Sequence, residues 1–259
     1  MAFIETKTAR FQYELSGPAD APPLVFSNSL GTDLRMWAWQ AEYFKQSFNV
    51  IRYNARGQMG SSLTDGPFSI ELLAQDVVDL LDGLRIPKAS FCGLSMGGMV
   101  GMMLAQRFPQ RLQKIVLANT SPKIGTLESW NARIEAVNAN GMKAVVDAIL
   151  ERWFSPGFRS GGSPELKATR EMLLESPASG YVACCAAVRD MDQRETISAI
   201  RVPTLVISGT SDPVTPPAEG RFVASQIAGA QYVELPAAHL SNVEAAANFN
   251  DAVGRFLQD

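Results

Sequence analysis

The chain has 259 residues, 46% of them hydrophobic, and a net charge of −3. This length and composition favour one large hydrophobic core, so we expect a single α/β domain with an insertion rather than two independent domains. The slightly acidic charge and the lack of a basic block argue against a nucleic-acid partner.

No signal peptide is predicted, because the first residues lack a basic head followed by an apolar run. The longest apolar run, residues 96–105, is too short to span a bilayer, so no membrane partner is expected. Cys92, Cys184 and Cys185 suit reduced thiols in the cytoplasm better than a disulfide framework. One histidine without a Cys-x-x-Cys motif predicts no metal site.

Short apolar segments alternate with helical segments along the first part of the chain. Strands are predicted at residues 2–7, 10–15, 23–26, 49–53, 89–92 and 114–119. The first two alternate polar and apolar residues, which is typical of a half-exposed hairpin at a sheet edge. The others are buried runs separated by helices, which indicates a parallel sheet covered by helices on both faces.

The alternation ends near residue 121, and helical periodicity without a convincing strand continues to residue 197. Within that stretch, residues 157–164 are predicted as a loop. Two more strands, at residues 203–208 and 231–235, and one last helix complete the chain.

These elements predict a mostly parallel, eight-stranded sheet. An all-helical insertion between strands of a sheet is typical of a lid. We therefore predict a core of residues 1–121 and 198–259 and a helical cap of residues 122–197.

Residues 93–97 read Gly-Leu-Ser-Met-Gly and connect a predicted buried strand to a small, apolar helix. In this context a strained turn presents a nucleophilic serine. Glycines two positions before and after Ser95 remove the Cβ atoms that would clash where the strand and the helix cross. We predict Ser95 as a nucleophile, with an ordinary loop serine as the alternative.

A serine hydroxyl needs a base to take its proton, and His239 is the single histidine of the chain. It follows the strand at residues 231–235, so it lies at the carboxyl end of a strand, as Ser95 does. In a parallel sheet these ends share one edge, where α/β folds place their sites. We predict His239 as the base, with a surface or capping histidine as the alternative.

The base needs a carboxylate to fix its tautomer and to stabilise the imidazolium. Asp212 directly follows the strand at residues 203–208 and matches the chain order serine, acid, histidine of hydrolases with this turn. We predict Asp212 as the acid, with an Asp-Pro turn as its alternative role. Three rival carboxylates fall in or beside the helical insertion: Asp190, Asp192 and Glu195.

A tetrahedral intermediate carries an oxyanion, which preorganised backbone N–H groups stabilise best. One donor is expected from Met96, the residue after the predicted nucleophile. The other is expected from Leu30, in the loop after the strand at residues 23–26, where Gly31 lets the loop turn tightly.

Five segments together resemble the 3-oxoadipate enol-lactonase family of α/β-hydrolases. They are residues 28–37, 93–98, 129–134, 151–154 and 237–242. The resemblance extends across essentially the whole chain and implies an α/β-hydrolase fold. One departure lies in the loop of residues 53–62, where the family has Tyr-Asp-x-Arg-Gly-His-Gly-x-Ser. Here Asn54, Gln58 and Met59 occupy the positions of the Asp, the His and the second Gly.

The resemblance implies that the chain hydrolyses the ester bond of 3-oxoadipate enol-lactone to 3-oxoadipate, in the degradation of protocatechuate or catechol. The triad would act through an acyl-enzyme on Ser95, and no cofactor is required.

The implied substrate is a small lactone with a free carboxylate, so a cation is expected near the pocket. Arg35 and Arg133 are the candidates, with solvated helix arginines as the alternative for each. Ser29, Trp130 and Trp153 are further candidate contacts, and packing inside the cap is the alternative role of both tryptophans.

Other serine hydrolases of this fold would keep the same triad, so a carboxylesterase, a carbon–carbon bond hydrolase and a perhydrolase are alternatives. Dehalogenases and epoxide hydrolases of this fold need a carboxylate nucleophile, and Ser95 argues against them. A non-catalytic ligand receptor on the same scaffold is an alternative of another class, because a fold does not guarantee turnover. The sequence carries no signal for the oligomeric state.

Overall fold

A computed structural model describes residues 1–64 and 67–258. Its strands are β1 (Ala2–Glu5), β2 (Arg10–Ser16), β3 (Pro23–Ser27), β4 (Asn49–Tyr53), β5 (Ala89–Leu94), β6 (Leu112–Ala118), β7 (Thr204–Gly209) and β8 (Gln231–Leu235). They form one eight-stranded sheet in the order β1-β2-β4-β3-β5-β6-β7-β8, which confirms the predicted strand number. Residues 65, 66 and 259, which belong to the predicted core, lie outside the described residues.

The sheet is mixed. β1 pairs antiparallel with β2, and β2 pairs antiparallel with β4. All other pairs, from β4 and β3 to β7 and β8, are parallel. The predicted hairpin at the sheet edge and the mostly parallel sheet are therefore confirmed. As a consequence, the carboxyl ends of β3, β5, β6, β7 and β8 share one edge.

The central strands are buried because their residues are apolar on both faces. All six residues of β5 and all six of β7 are buried. Continuous apolar runs of this kind are typical of parallel strands with a covered sheet on each side. β2, which belongs to the antiparallel side of the sheet, is only partly buried.

Helices surround the sheet. They are α1 (Ala38–Phe44), α2 (Ile70–Gly83), α3 (Met96–Arg107), α4 (Leu127–Asn140), α5 (Val146–Trp153), α6 (Pro156–Ser160), α7 (Pro164–Glu175), α8 (Ala178–Asp190), α9 (Pro217–Gln226), α10 (Ser241–Glu244) and α11 (Ala246–Gln258). α3 packs on β5 and β6, and α9 packs on β7 and β8. In the described part of the chain, no helix has both the length and the apolar character needed to cross a membrane.

Between β6 and β7 the chain forms the helices α4 to α8, and its described residues there contain no strand. α4 packs against α8, and α5 packs against α7. The division into a core of residues 1–121 and 198–259 and a cap of residues 122–197 stays a prediction.

Two local predictions differ from the structure. The loop predicted at residues 157–164 overlaps α6, which begins at Pro156 after Ser155, whose side chain accepts a hydrogen bond from Phe158 N. Serine followed by proline is a helix-start signal that explains this short helix. The last predicted helix is divided at Ala245 into α10 and α11.

Candidate active site

Ser95 lies between β5 and α3 with φ 57° and ψ −115°. This backbone conformation is strained for a residue other than glycine. The chain approaches itself closely around it. A Cβ atom on Gly93 would lie 2.1 Å from Gly97 O, and one on Gly97 would lie 2.2 Å from Ser27 O. The two glycines therefore provide the space in which the turn presents Ser95.

The imidazole of His239 is buried and held by Asp212. The Nδ1 atom of His239 and the Oδ2 atom of Asp212 are 2.8 Å apart. Because an ionised carboxylate only accepts hydrogen bonds, Nδ1 carries the proton and Nε2 carries the lone pair. This is the tautomer that a general base requires.

Asp212 is ionised at neutral pH. Burial raises its pKa, but the charge of His239 and hydrogen bonds from His239, Asn119 and Thr215 outweigh burial and lower the pKa to about 2. The Asn119 amide and the Thr215 hydroxyl donate to Oδ2 at 3.0 and 2.7 Å. The N–H groups of Val214 and Thr215 donate to Oδ1 at 2.7 and 3.0 Å. Both carboxylate oxygens are therefore fixed in position.

Asn119 is a site residue that the sequence alone does not identify. It directly follows β6 with φ 43°, a left-handed conformation that asparagine tolerates. Its amide donates to Asp212, while its side-chain oxygen accepts a hydrogen bond from Ser241 Oγ at 2.5 Å. The one feature of the sequence that could have identified Asn119 is its position directly after β6, the strand that pairs with β7.

Ser95 and His239 line the same small cavity, of about 30 Å³, and Leu30 and Met96 line it with them. Within the described chain, Nε2 of His239 has no hydrogen-bond partner, so the serine and the imidazole share the cavity without a bond between them. Such contacts often tighten only when substrate binds. Asp212 lies behind the imidazole, so the structure brings the five predicted groups to one place.

The backbone N–H groups of Leu30 and Met96 donate to no other described residue. Met96 begins α3, and the first N–H groups of a helix have no partner within it. Free, fixed donors beside a nucleophile are what an oxyanion hole needs. Leu30 and Met96 therefore stay the predicted oxyanion donors.

A family model for the α/β hydrolase fold matches residues 22–246. The chain belongs to the α/β-hydrolase family. A relative named 3-oxoadipate enol-lactonase 2, from Acinetobacter baylyi, is 42% identical over 97% of this chain and 95% of its own length. The 3-oxoadipate enol-lactonase 1 of the same organism is 39% identical over 95% of this chain and 92% of that relative.

A solved structure also matches the chain over its whole length. The enol-lactonase from Burkholderia xenovorans LB400 matches with a TM-score of 0.97 and 41% identity, over 100% of both chains. The resemblance to the 3-oxoadipate enol-lactonases is therefore confirmed, and these relatives support a hydrolase function for the chain.

In this α/β-hydrolase, three of the candidate substrate contacts line the cavity: Trp130, Arg133 and Trp153. The Arg133 guanidinium lies 4.9 Å from the centroid of the Trp130 ring, and the Trp153 ring lies 6.0 Å from the His239 ring. Arg133 forms no ion pair with a carboxylate of the described residues. A cation without a described counter-ion therefore borders the cavity.

The structure does not bring Arg35 or Ser29 to the cavity, since neither is among the described residues that line it. Arg35 instead forms ion pairs with Asp33 and Glu175, each at 2.6 Å. The hydrogen bond with Asp33 raises the pKa of Arg35 above its ordinary value. A guanidinium held by two carboxylates links the turn before α1 to the end of α7. Ser29 is buried, and its hydroxyl has no described partner.

Volume alone would select another site. A groove of about 760 Å³, whose lining includes Trp39, Tyr43 and Asp251, contains none of the predicted site residues. Its described lining holds carboxylates and amides but no nucleophile with an adjacent base. The chemistry of the side chains therefore favours the smaller cavity.

Proposed function

We propose that the chain hydrolyses the ester bond of 3-oxoadipate enol-lactone and releases 3-oxoadipate. The observation that carries the proposal is the position of His239 beside Ser95. Asp212 holds its Nδ1 atom, its Nε2 atom has no partner among the described residues, and both His239 and Ser95 border the same cavity. The 42% identity with 3-oxoadipate enol-lactonase 2 over 97% of this chain supports the choice of lactone. The reaction belongs to the degradation of protocatechuate or catechol.

In the acylation step, Ser95 Oγ attacks the lactone carbonyl while His239 Nε2 accepts its proton. Asp212 stabilises the imidazolium that forms. The N–H groups of Leu30 and Met96 hold the oxyanion, and a donor of this kind contributes on the order of 10²–10³ in kcat. Collapse of the intermediate then breaks the ring ester bond.

The leaving group makes ring opening favourable. The departing oxygen takes the proton from His239 as an enol, which tautomerises to a ketone. A ketone does not attack the acyl-enzyme as an alcohol would, so the reverse reaction is suppressed. Water then hydrolyses the acyl-enzyme with His239 as base, and Ser95 is regenerated.

Arg133 supplies a charge that matches the carboxylate of the lactone. Its guanidinium lies over the Trp130 ring, with Cζ 4.9 Å from the ring centroid. This contact uses the π-face of the ring and none of the N–H donors of the guanidinium, which can therefore bind a carboxylate. A bidentate, charge-assisted contact fixes the orientation of a substrate as well as its affinity. We propose that this contact aligns the lactone carbonyl with Ser95.

The side chains of the cap move when substrate binds. The cavity of about 30 Å³ has room for about two water molecules, at the roughly 10–15 Å³ that each one needs, and a lactone is much larger. We propose that Trp130, Arg133 and Trp153 turn outward to admit the lactone and then return, which excludes water from the reacting atoms.

The cysteines fit a reducing compartment, and we propose the cytoplasm. Cys92, Cys184 and Cys185 are buried free thiols. Burial raises the pKa of the Cys185 thiol to about 12 although the charge of Arg133 opposes it, so this thiol is protonated and does not compete with Ser95.

The proposal is tested by a spectrophotometric assay of enol-lactone hydrolysis with purified wild type, Ser95→Ala and His239→Ala. We expect turnover by the wild type and a loss of roughly 10⁴- to 10⁶-fold in both variants. A wild type that leaves the lactone to hydrolyse at the rate in buffer would overturn the proposal.

Two further measurements separate the alternatives. Faster turnover of simple p-nitrophenyl esters than of the lactone would indicate a carboxylesterase. A fluorophosphonate label on Ser95 that is lost in His239→Ala supports an enzyme. An unreactive Ser95 in a protein that still binds the lactone would indicate a ligand receptor.

A further inference from the structure

Gln58 lies in the loop after β4, at the position where the enol-lactonase pattern has a histidine. The residue is only 3% exposed. Its Oε1 atom accepts hydrogen bonds from Asn28 Nδ2 at 2.8 Å and from Ala55 N at 2.9 Å. Its Nε2 atom donates to Ser29 O at 3.1 Å. The side chain therefore ties its own loop to the loop after β3.

The Ser29 carbonyl and the Leu30 N–H belong to one peptide unit. A trans peptide is planar, so its C=O and N–H bonds point in opposite directions. The described chain has no cis peptide. A donor fixed on the Ser29 oxygen therefore fixes the direction of the Leu30 N–H. It also polarises the peptide, which strengthens that N–H as a donor.

Thr32 also donates a hydrogen bond to the Ser29 carbonyl oxygen. Its Oγ1 atom donates to Ser29 O at 2.8 Å. The backbone N–H of Thr32 also donates to this oxygen, at 3.3 Å, so Ser29 O accepts from Gln58 and from both donors of Thr32. Hydrogen bonds therefore hold the oxygen of the Ser29–Leu30 peptide in place. The Leu30 N–H, on the opposite side of that peptide, donates to no described residue.

The loop that carries Gln58 is anchored on two sides. Arg56 forms a buried ion pair with Asp76 of α2, with Nη2 at 2.5 Å from Oδ1. Gly57 contacts Gly180 of α8 so closely that a Cβ atom on Gly180 would lie 1.9 Å from Gly57 O. The backbone around Gln58 therefore has little freedom to move. A residue that positions another group needs to be held in this way.

We propose that Gln58 is a positioning residue of the oxyanion hole. Its amide holds the Ser29–Leu30 peptide so that the Leu30 N–H points at the developing oxyanion. This rests on the proposed function, in which Leu30 is an oxyanion donor. Gln58 is not among the described residues that line the cavity, so it acts through the peptide. Its loss therefore affects the transition state and leaves binding of the lactone nearly unchanged.

The main test is Gln58→Met, which keeps the length of the side chain and removes its hydrogen bonds. We expect kcat for the lactone to fall about 10- to 100-fold, less than the roughly 10²–10³ for loss of a direct donor, with KM changed less than about threefold. Binding of a trifluoromethyl ketone, which forms an oxyanion on Ser95, weakens by the same factor. The kcat for p-nitrophenyl acetate falls with it.

Gln40→Met is the matched control. Gln40 is also buried, and its Nε2 atom donates to Asn242 O at 2.9 Å and to Asn250 Oδ1 at 3.0 Å. Its described hydrogen bonds do not involve the loops after β3 and β4. We expect both methionine variants to lose Tm to a similar degree, and only Gln58→Met to lose kcat. Equal losses of kcat would overturn the proposal, because they would report general destabilisation.

Thr32→Val is an independent variant that serves even if Gln58→Met does not fold. Valine keeps the shape and removes the hydroxyl that donates to Ser29 O. We expect the same pattern, a fall in kcat and in ketone affinity with KM retained. Gln58 Nε2 and Thr32 N still donate to Ser29 O in this variant, so the deciding variant is Gln58→Glu, which keeps the acceptor oxygen and removes the Nε2 donor. Unchanged kcat and ketone affinity in folded Gln58→Glu would overturn the proposal. A wild type that is inactive on the lactone but active on p-nitrophenyl acetate would instead remove the proposed substrate, and the Gln58 comparison would proceed on that ester.

Discussion

Asn119 donates its side-chain amide to Asp212 Oδ2 at 3.0 Å, the same oxygen that lies 2.8 Å from His239 Nδ1. Asn119 follows β6 and Asp212 follows β7, and these two strands pair in parallel. Neighbouring strands therefore deliver the amide and the carboxylate to one edge of the sheet. Because a hydrogen bond to a carboxylate favours its ionised form, Asn119 helps to keep the pKa of Asp212 low.

Removing this amide should raise the pKa of Asp212. Asn119→Gly tolerates the left-handed backbone and loses the donor. Asp212, with a folded-state pKa of about 2, adds stability above its ordinary value near 3.9, and this stability is lost as the pH falls through the folded value. A raised pKa therefore makes acid unfolding begin at higher pH in the variant. Urea unfolding between about pH 2 and pH 6 measures the shift, and identical pH profiles would contradict the role of Asn119.

Asp212→Asn should lower kcat by about 10⁴-fold, because an amide no longer fixes the proton on His239 Nδ1. KM should change little, since Asp212 lies behind the imidazole. The matched control is Asp190→Asn, an exposed carboxylate that the sequence offers as a rival acid. We expect that control to keep kcat within about twofold of the wild type. A large loss in the control and a small loss in Asp212→Asn would reassign the acid.

The grouping of the site residues was predictable from strand ends. Ser95 and Asp212 follow the buried strands β5 and β7, and His239 follows β8, which is partly exposed. Parallel strands bring their carboxyl ends to one edge of the sheet. The single histidine left one choice of base. Topology and chain order were enough for this step, and the eight-stranded sheet came from the same apolar periodicity.

The residues that support the site were not predictable, because their roles depend on contacts between distant segments. In the sequence, Gln58 is only a departure from a family pattern, and the structure places its amide on the Ser29 carbonyl. Arg35 does not reach the cavity because Glu175, 140 positions away in the chain, lies 2.6 Å from it. Sequence spacing carries no signal for such pairs.

Arg133 borders the cavity and pairs with no carboxylate of the described residues, which predicts a selective binding defect when it is replaced. Arg133→Ala should raise KM for the enol-lactone by about 10- to 100-fold, since it removes the partner of the substrate carboxylate, and should leave KM for p-nitrophenyl acetate unchanged. Arg35→Ala is the control, because Arg35 does not line the cavity and its exposed pair with Glu175 contributes at most about 1 kcal/mol. Its other partner, Asp33, is buried, so a loss of Tm is expected in this control while KM stays unchanged. Steady-state kinetics on both substrates decide the point, and equal KM values for Arg133→Ala and the wild type would remove Arg133 from the substrate site.

The close approach of Gly57 and Gly180 predicts that α8 packs directly on the loop after β4. Gly180→Ala would place a Cβ atom 1.9 Å from Gly57 O, which forces a backbone shift and costs about 1–3 kcal/mol. For a domain of this size each kcal/mol lowers Tm by about 2–4 °C. The matched control is Gly157→Ala in α6. Its added Cβ has nothing within 4 Å, so this variant should keep or raise Tm. Because the displaced loop carries Gln58, kcat should fall in Gly180→Ala alone. A calorimetric Tm for Gly180→Ala equal to that of the control would show that α8 yields without moving the loop.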